Sequence, residues 1–242
     1  MDFTYQAYAE LLDMLSAGGY AVCDYHDYIN SSRCVILRHD IDTSLDQAVR
    51  LAELEAEKGV KSTYFVLLRT DFYNPASQGS QEQLRRILAL GHEIGLHFDE
   101  VAYGKVLTED ETRENIIKEC GILSELLGTP VKTVSMHRPS KATLEADLQI
   151  PGIVNSYGKT FFHDFKYLSD SRRRWREPVL DIVRSGEYDR LHILTHAFWY
   201  HQRELDITHT VGEFVRSANR ERYARMAENI TDIQSILRED EV

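Results

Sequence analysis

CVILRHDID, residues 34–42, changes character halfway: four apolar residues are followed by five in which Arg38, His39, Asp40 and Asp42 surround a single isoleucine. A short run that is apolar at every position is expected of a strand buried on both faces, as in a parallel sheet. Ser44 can then cap a helix in which Ala48, Leu51, Ala52 and Glu55 step at helical spacing, with Lys58-Gly59 as its stop. The same order recurs. STYFVLL (62–68) reads as a second strand, and a loop through Tyr73-Asn74-Pro75 leads to a helix over Gln81–Leu90 that ends at Gly91. EIGLH (93–97) reads as a third strand. Thr108 caps a helix with an apolar stripe at Ile116, Cys120, Leu123 and Leu127, stopped by Gly128 and Pro130. VKTVSMH (131–137), GIVNSY (152–157) and LHILTH (191–196) supply further strands. A helix over Tyr5–Leu15 precedes this series, and one or two long surface helices over Val211–Arg238 follow it. Strand and helix alternate without a linker or repeat, which predicts a single α/β domain: a parallel sheet flanked by helices. Periodicity does not say whether such a sheet closes into a barrel.

Composition narrows the class. The chain has 242 residues, 43% hydrophobic and 28% charged, ordinary proportions for a globular protein with a substantial core. It contains no apolar run of roughly eighteen residues, so no membrane-spanning helix is expected. The opening MDFTYQAYAELLDML alternates like an amphipathic helix and lacks the basic start and apolar block of a secretory signal; a cytoplasmic location is the expectation. Cys23, Cys34 and Cys120 form no CxxC pair and are expected as buried small hydrophobes. A formal net charge of −11 argues against sequence-independent nucleic-acid binding, which needs Lys and Arg to neutralise phosphates. The run Arg172, Arg173, Arg174 and Arg176 is a local exception, either a solvated loop or an attractor of phosphate or uronate groups.

Polar groups collect just beyond the C-terminal ends of the expected strands, where α/β proteins place their sites. CVIL runs into Arg38-His39-Asp40-Ile41-Asp42, EIGL into His97-Phe98-Asp99-Glu100, VKTVSM into His137-Arg138-Pro139, and LHILT into His196. Residues two apart in extended chain point to the same side, so Asp40 and Asp42 face one pocket. Their repulsion is costly unless a cation or proton intervenes, and a divalent ion resolves it by taking one carboxylate as ligand and leaving the other as general base. The alternative is a capping loop in which Asp42 or Ser44 serves the next helix. His97 is either a ligand or a buried strand histidine bonded to a backbone carbonyl; Asp99 and Glu100 are either supports for that site or solvated loop charges.

The ordered motifs RHDID, GHEIGLH, SMHRPS and ILTH resemble those of polysaccharide deacetylases of the NodB-homology type, carbohydrate esterase family 4, over about Cys34–His196. The form they take here looks like a divergent branch associated with bacterial surface-polysaccharide or O-antigen gene clusters. The resemblance implies a distorted (β/α)₇ barrel spanning residues 30–201, with helical additions at 1–29 and 202–242. It implies Asp40 as general base, Asp42 and His97 as metal ligands and His196 as general acid, with Asp170 and Trp175 in the motif that supports the acid and walls the pocket. Two departures stand out. The position of the family's second liganding His is Val101, and the position of its base-orienting Arg is His137, next to Arg138. His137 is therefore either the third metal ligand or a residue that holds Asp40 in place.

The function so implied is metal-dependent removal of an N-acetyl group from an amino sugar or glycan precursor. The cofactor is one divalent ion, with Zn expected first and Co, Ni or Mn also suitable, and the substrate is a nucleotide-linked or lipid-linked sugar. Trp199, within Phe198-Trp199-Tyr200, is either core or a stacking wall for a sugar ring. Two other readings stay open: a carbohydrate-binding or regulatory member of the same fold that has lost activity, and a metal-assisted hydrolase of another small amide.

Overall fold

The computed structural model describes Met1–Val242 as two compact units, Met1–Gln202 and Arg203–Val242. The first unit contains the whole sheet. Its strands are β1 (Ala21–Cys23), β2 (Cys34–Ile41), β3 (Thr63–Leu67), β4 (Glu93–Asp99), β5 (Thr133–His137), β6 (Val154–Asn155), β7 (Lys166–Ser169) and β8 (Arg190–Thr195). They pair in the order β6-β5-β4-β3-β2-β8-β7, all parallel, with β1 added beside β2. Its helices are α1 (Tyr5–Ala17), α2 (Leu45–Glu57), α3 (Gln78–Ala89), α4 (Glu109–Leu127), and the short α5 (Lys141–Glu145), α6 (Lys159–His163) and α7 (Val179–Ser185). Thr4, Ser44, Ser77 and Thr108 cap the four long helices through their side chains, so Ser44 rather than Asp42 serves α2. The second unit is α8 (Ile207–Ala227), capped by Asp206, and α9 (Ile233–Ile236). The long helix thus starts before the expected Val211, at a cap where the Asp206 carboxylate accepts from His209 N at 2.7 Å. The segment expected as a helical addition at 1–29 also contains β1, a strand too short to show a period.

The sheet curls into a distorted barrel whose two end strands, β6 and β7, are unpaired on their outer sides. One side chain demonstrates the curvature. Flat, β2 and β5 would lie about 14 Å apart across two intervening strands. Yet Arg38 on β2 donates from Nη2 to Ser135 Oγ on β5 at 2.7 Å, and from Nη1 to Ser156 Oγ beyond β6 at 3.0 Å. Strand alternation separates the two faces. Arg38 and Asp40 point to the concave side, while His39 points out toward α2, where its Nε2 meets Glu55 at 2.9 Å. Glu55 is fully buried and also accepts from Tyr8, Ser62 and Tyr64 hydroxyls at 2.6–2.7 Å, so one carboxylate ties α1, α2, β2 and β3 together. On the concave side Phe65 fills the space below the strand ends. It fits because residue 95 is glycine: a Cβ there would lie 2.5 Å from the Phe65 ring and 3.0 Å from Thr133 O. The three cysteines are buried and unbridged, as expected of small core residues.

Candidate metal centre

Two residues past the Gly95–Phe65 contact, His97 leaves β4 on the same concave side, and the curl brings β2, β4 and β5 to a common point at their C-terminal ends. Asp42, His97 and His137 meet there. His97 Nε2 and His137 Nδ1 are each 3.3 Å from Asp42 Oδ1 and 3.1 Å from one another. Asp42 Oδ1 is buried and accepts a hydrogen bond from neither imidazole. Three ligand atoms of a tetrahedral Zn site with bonds of 2.0–2.1 Å would stand about 3.3 Å apart. The donor types and separations therefore fit a divalent ion. Burial would raise the Asp42 carboxyl, but the imidazoles of His137 and His97 hold it well below the usual carboxylate range. Of the two alternatives left open by the sequence, this placement suits His137 to the ligand role. Val101 sits in a 3-10 turn over Glu100–Tyr103 and is 55% exposed, outside this cluster.

Asp40 and His196 flank the trio. Asp40 Oδ2 accepts from Arg38 Nη2 at 2.8 Å and lies 3.6 Å from His97 Nε2, whereas Oδ1 is buried and has no hydrogen-bond partner. Burial opposes the Asp40 charge, but the Arg38 guanidinium, with His97 and His196, keeps the carboxyl below its ordinary value. His196 Nε2 is 3.8 Å from Asp42 Oδ2, and its Nδ1 pairs with Asp170 Oδ1 at 2.6 Å. Asp170 is fully buried, accepts the His196 backbone N–H at 3.1 Å and also accepts from Tyr200 OH at 3.2 Å. Burial disfavours the imidazolium, yet the Asp170 carboxylate, aided by Asp42 and Asp40, pushes His196 up to about 9. At neutral pH one side of the cluster presents an ionised carboxylate with a free lone pair, and the other a protonated imidazole.

The remaining expected site residues are placed around this centre. Arg138, with φ 51°, pairs with Asp99, which also caps the 3-10 turn by accepting from Val101 N. Glu100 accepts from Ser140 N and Thr143 Oγ1. These contacts join the loop after His97 to the loop after His137, so Asp99 and Glu100 are braces rather than solvated charges. A concavity of about 630 Å³ opens between the same two loops, lined by Val101, Val106, Leu107, Ala142, Ala146 and Leu148 among others. Trp175 and Trp199 are half-buried against the main core. Trp199 lies 4.8 Å from Phe198, centroid to centroid, and the Trp175 Nε1 is buried without a partner. Sequence reasoning assigned no role to Arg38, Ser135 or Ser156. For Arg38 a signal was present, since 38, 40 and 42 share one face of a strand; for the two serines there was none, because only the curl brings them close.

Among known proteins, no family model matches the chain, and no curated protein does. Several solved structures are similar to it at low identity. The polysaccharide deacetylase Bc1974 from Bacillus cereus is 15% identical, with 78% of this chain and 88% of that chain covered and a TM-score of 0.49. A family 4 acetyl xylan esterase from Clostridium thermocellum, in complex with a cobalt ion, is 18% identical over 67% of this chain and 73% of that one, with a TM-score of 0.42. The deacetylase PplD from Streptococcus pyogenes, in complex with acetate, is 13% identical over 58% of this chain, with a TM-score of 0.46, and the match spans 66% of its own length.

Proposed function

We propose that this chain is a metal-dependent hydrolase that removes an N-acetyl group from an amino sugar within a glycan precursor, in the biosynthesis of a surface polysaccharide. The observation that carries the proposal is the meeting of Asp42, His97 and His137 at 3.1–3.3 Å, with a carboxylate and a carboxylate-held imidazole on its flanks. Asp42, His97 and His137 would hold one divalent ion, Zn being best matched to a donor set of two imidazoles and one carboxylate. Such an ion, when bound, supplies Lewis acidity, lowering the pKa of water to about 7 and polarising a carbonyl. Asp40 takes the proton of the attacking water at Oδ1, the oxygen left without a partner. The water oxygen bonds to the acetamide carbon, and the C–N bond breaks. His196 delivers its Nε2 proton to the departing nitrogen while Asp170 holds Nδ1, so that acetate and a free amino sugar result.

The exposed Arg172, Arg174 and Arg176 follow directly on Asp170, and their charge suits a phosphate or pyrophosphate group linking the sugar to a nucleotide or a lipid. The test combines elemental analysis with acetate release. One Zn, Co, Ni or Mn per chain, lost in Asp42→Ala and His97→Ala, is expected together with acetate from UDP-N-acetyl sugars or lipid-linked N-acetylated oligosaccharides. A well-folded protein that takes up no divalent ion would instead be a binding member of the fold. Turnover confined to cyclic imides or other small amides would move the substrate class away from sugars.

A further inference from the structure

We infer that Arg38 is the positioning residue of the general base: its guanidinium fixes Asp40 Oδ2 so that Oδ1 faces the attacking water. The inference rests on the deacetylase reading above and deepens it. Arg38 is 0% exposed, an unusual burial for a guanidinium unless its charge is answered. Its Nε is buried without a partner, but both Nη atoms are answered, from β2, β5 and the segment after β6. Nη2 donates to Asp40 Oδ2 at 2.8 Å and to Ser135 Oγ at 2.7 Å, and Nη1 donates to Ser156 Oγ at 3.0 Å. The guanidinium carbon stands 5.2 Å from the Phe65 ring centre and 5.1 Å from that of Tyr157, so two aromatic faces complete the slot. Such a group has one orientation, and through it Asp40 has one as well.

The arrangement resolves a conflict within the site. The third donor of the metal trio is His137, so its side chain is committed to Asp42 and His97 and cannot orient the base. Arg138, next along, is turned by its positive φ onto Asp99. The only cation bonded to Asp40 therefore comes from its own strand, two residues upstream on the same face. A lysine in that place would keep the charge but present a single ammonium, unable to bond Asp40, Ser135 and Ser156 in one plane.

The test uses the metal-loaded full chain. Arg38→Lys should retain one divalent ion per chain, because no ligand is altered, while kcat falls roughly 100-fold at little-changed KM, the size of loss expected from a misplaced reacting group. Ser135→Ala/Ser156→Ala, which leaves the charge and removes two anchors, should show a smaller loss of the same kind and covers the case in which Arg38→Lys does not fold. Arg38→Lys/Asp40→Asn should be no slower than Asp40→Asn alone, since Arg38 acts through Asp40. A crystal structure of Arg38→Lys should show Asp40 in another rotamer with Asp42, His97 and His137 in place. Wild-type turnover in Arg38→Lys, additive losses in the double variant, or an unmoved Asp40 would each overturn the inference while leaving the deacetylase reading intact. Metal-loaded wild type that releases no acetate overturns that reading, and the inference with it.

Discussion

Asp40 and Asp42 are two residues apart on one strand face, yet their surroundings give them different chemistry. Asp42 is met by two imidazole nitrogens at 3.3 Å, and Asp40 by a guanidinium nitrogen at 2.8 Å. Neutral imidazoles share a cation as ligands, whereas a guanidinium has no lone pair to offer, so the proposed ion would belong with Asp42. Asp40→Asn should accordingly keep its metal and lose roughly 100-fold or more of kcat, read from acetate release beside metal content. Undiminished turnover would remove Asp40 as the base. His137→Ala should weaken metal affinity by at least roughly 100-fold, since even the outer partners of metal ligands are worth 10–100-fold; competition with a chromophoric chelator gives the number. These assignments were partly legible. Asp40, Asp42, His97 and His196 stood out because polar residues end otherwise apolar strands. His137 was ambiguous, because spacing alone does not tell which imidazole atom faces the cluster.

At the scale of elements, β4 and α2 carry the two constraints that hold the strand ends in register. In β4 the ring of Phe65 occupies the space a side chain at 95 would need, at 2.5 Å from an added Cβ. Gly95→Ala should destabilise the protein by about 1–3 kcal/mol, measured by urea unfolding, and weaken metal binding as His97 shifts with its strand. Equal stability and equal affinity would show that β4 yields freely. In α2, Glu55 sits among Tyr8, His39, Ser62 and Tyr64 with no access to water. Burial would raise its carboxyl, but His39, His92 and the Ser62 hydroxyl bring it down to about 2. A folded pKa below the unfolded 4.5 means the contribution is complete above pH 4.5 and is lost as pH falls toward 2. The contribution is on the order of 3 kcal/mol. The stability gap between wild type and Glu55→Gln should therefore be widest at neutral pH and close in acid; a gap independent of pH would rule out the charged form as its source. Helical spacing showed Glu55 on the inner face of α2 but offered no sign of its partners, which come from three other elements.

Across the molecule, the proposed ion would tie the end of β2 to the ends of the neighbouring strands β4 and β5, from which β3 separates it in the sheet. Binding to the folded state alone stabilises it by about 2.7 kcal/mol at a free metal concentration of 100 Kd. For a chain of this length that raises Tm by on the order of 5–10 °C. Differential scanning with and without Zn should show the increase in wild type and none in Asp42→Ala. An identical Tm in all four samples would argue that no ion joins these strands. No helix is long and apolar enough to cross a membrane, in keeping with the absence of a long apolar run in the sequence.

The sequence by itself determined the parallel α/β order, the Ser44 and Thr108 caps and the polar strand ends, because these depend on local periodicity and on residues a few positions apart. It did not reveal β1, β6 as a two-residue strand, or β7, whose lengths of 2–4 residues carry no period. Only the tertiary structure brought His137 to Asp42 and His97, showed that Asp170 Oδ1 meets His196 Nδ1, and took Arg38 to Ser135 and Ser156. Each of those contacts joins residues 26–118 positions apart. They exist because the sheet curls, and curl belongs to the packed assembly of strands and helices rather than to any one segment.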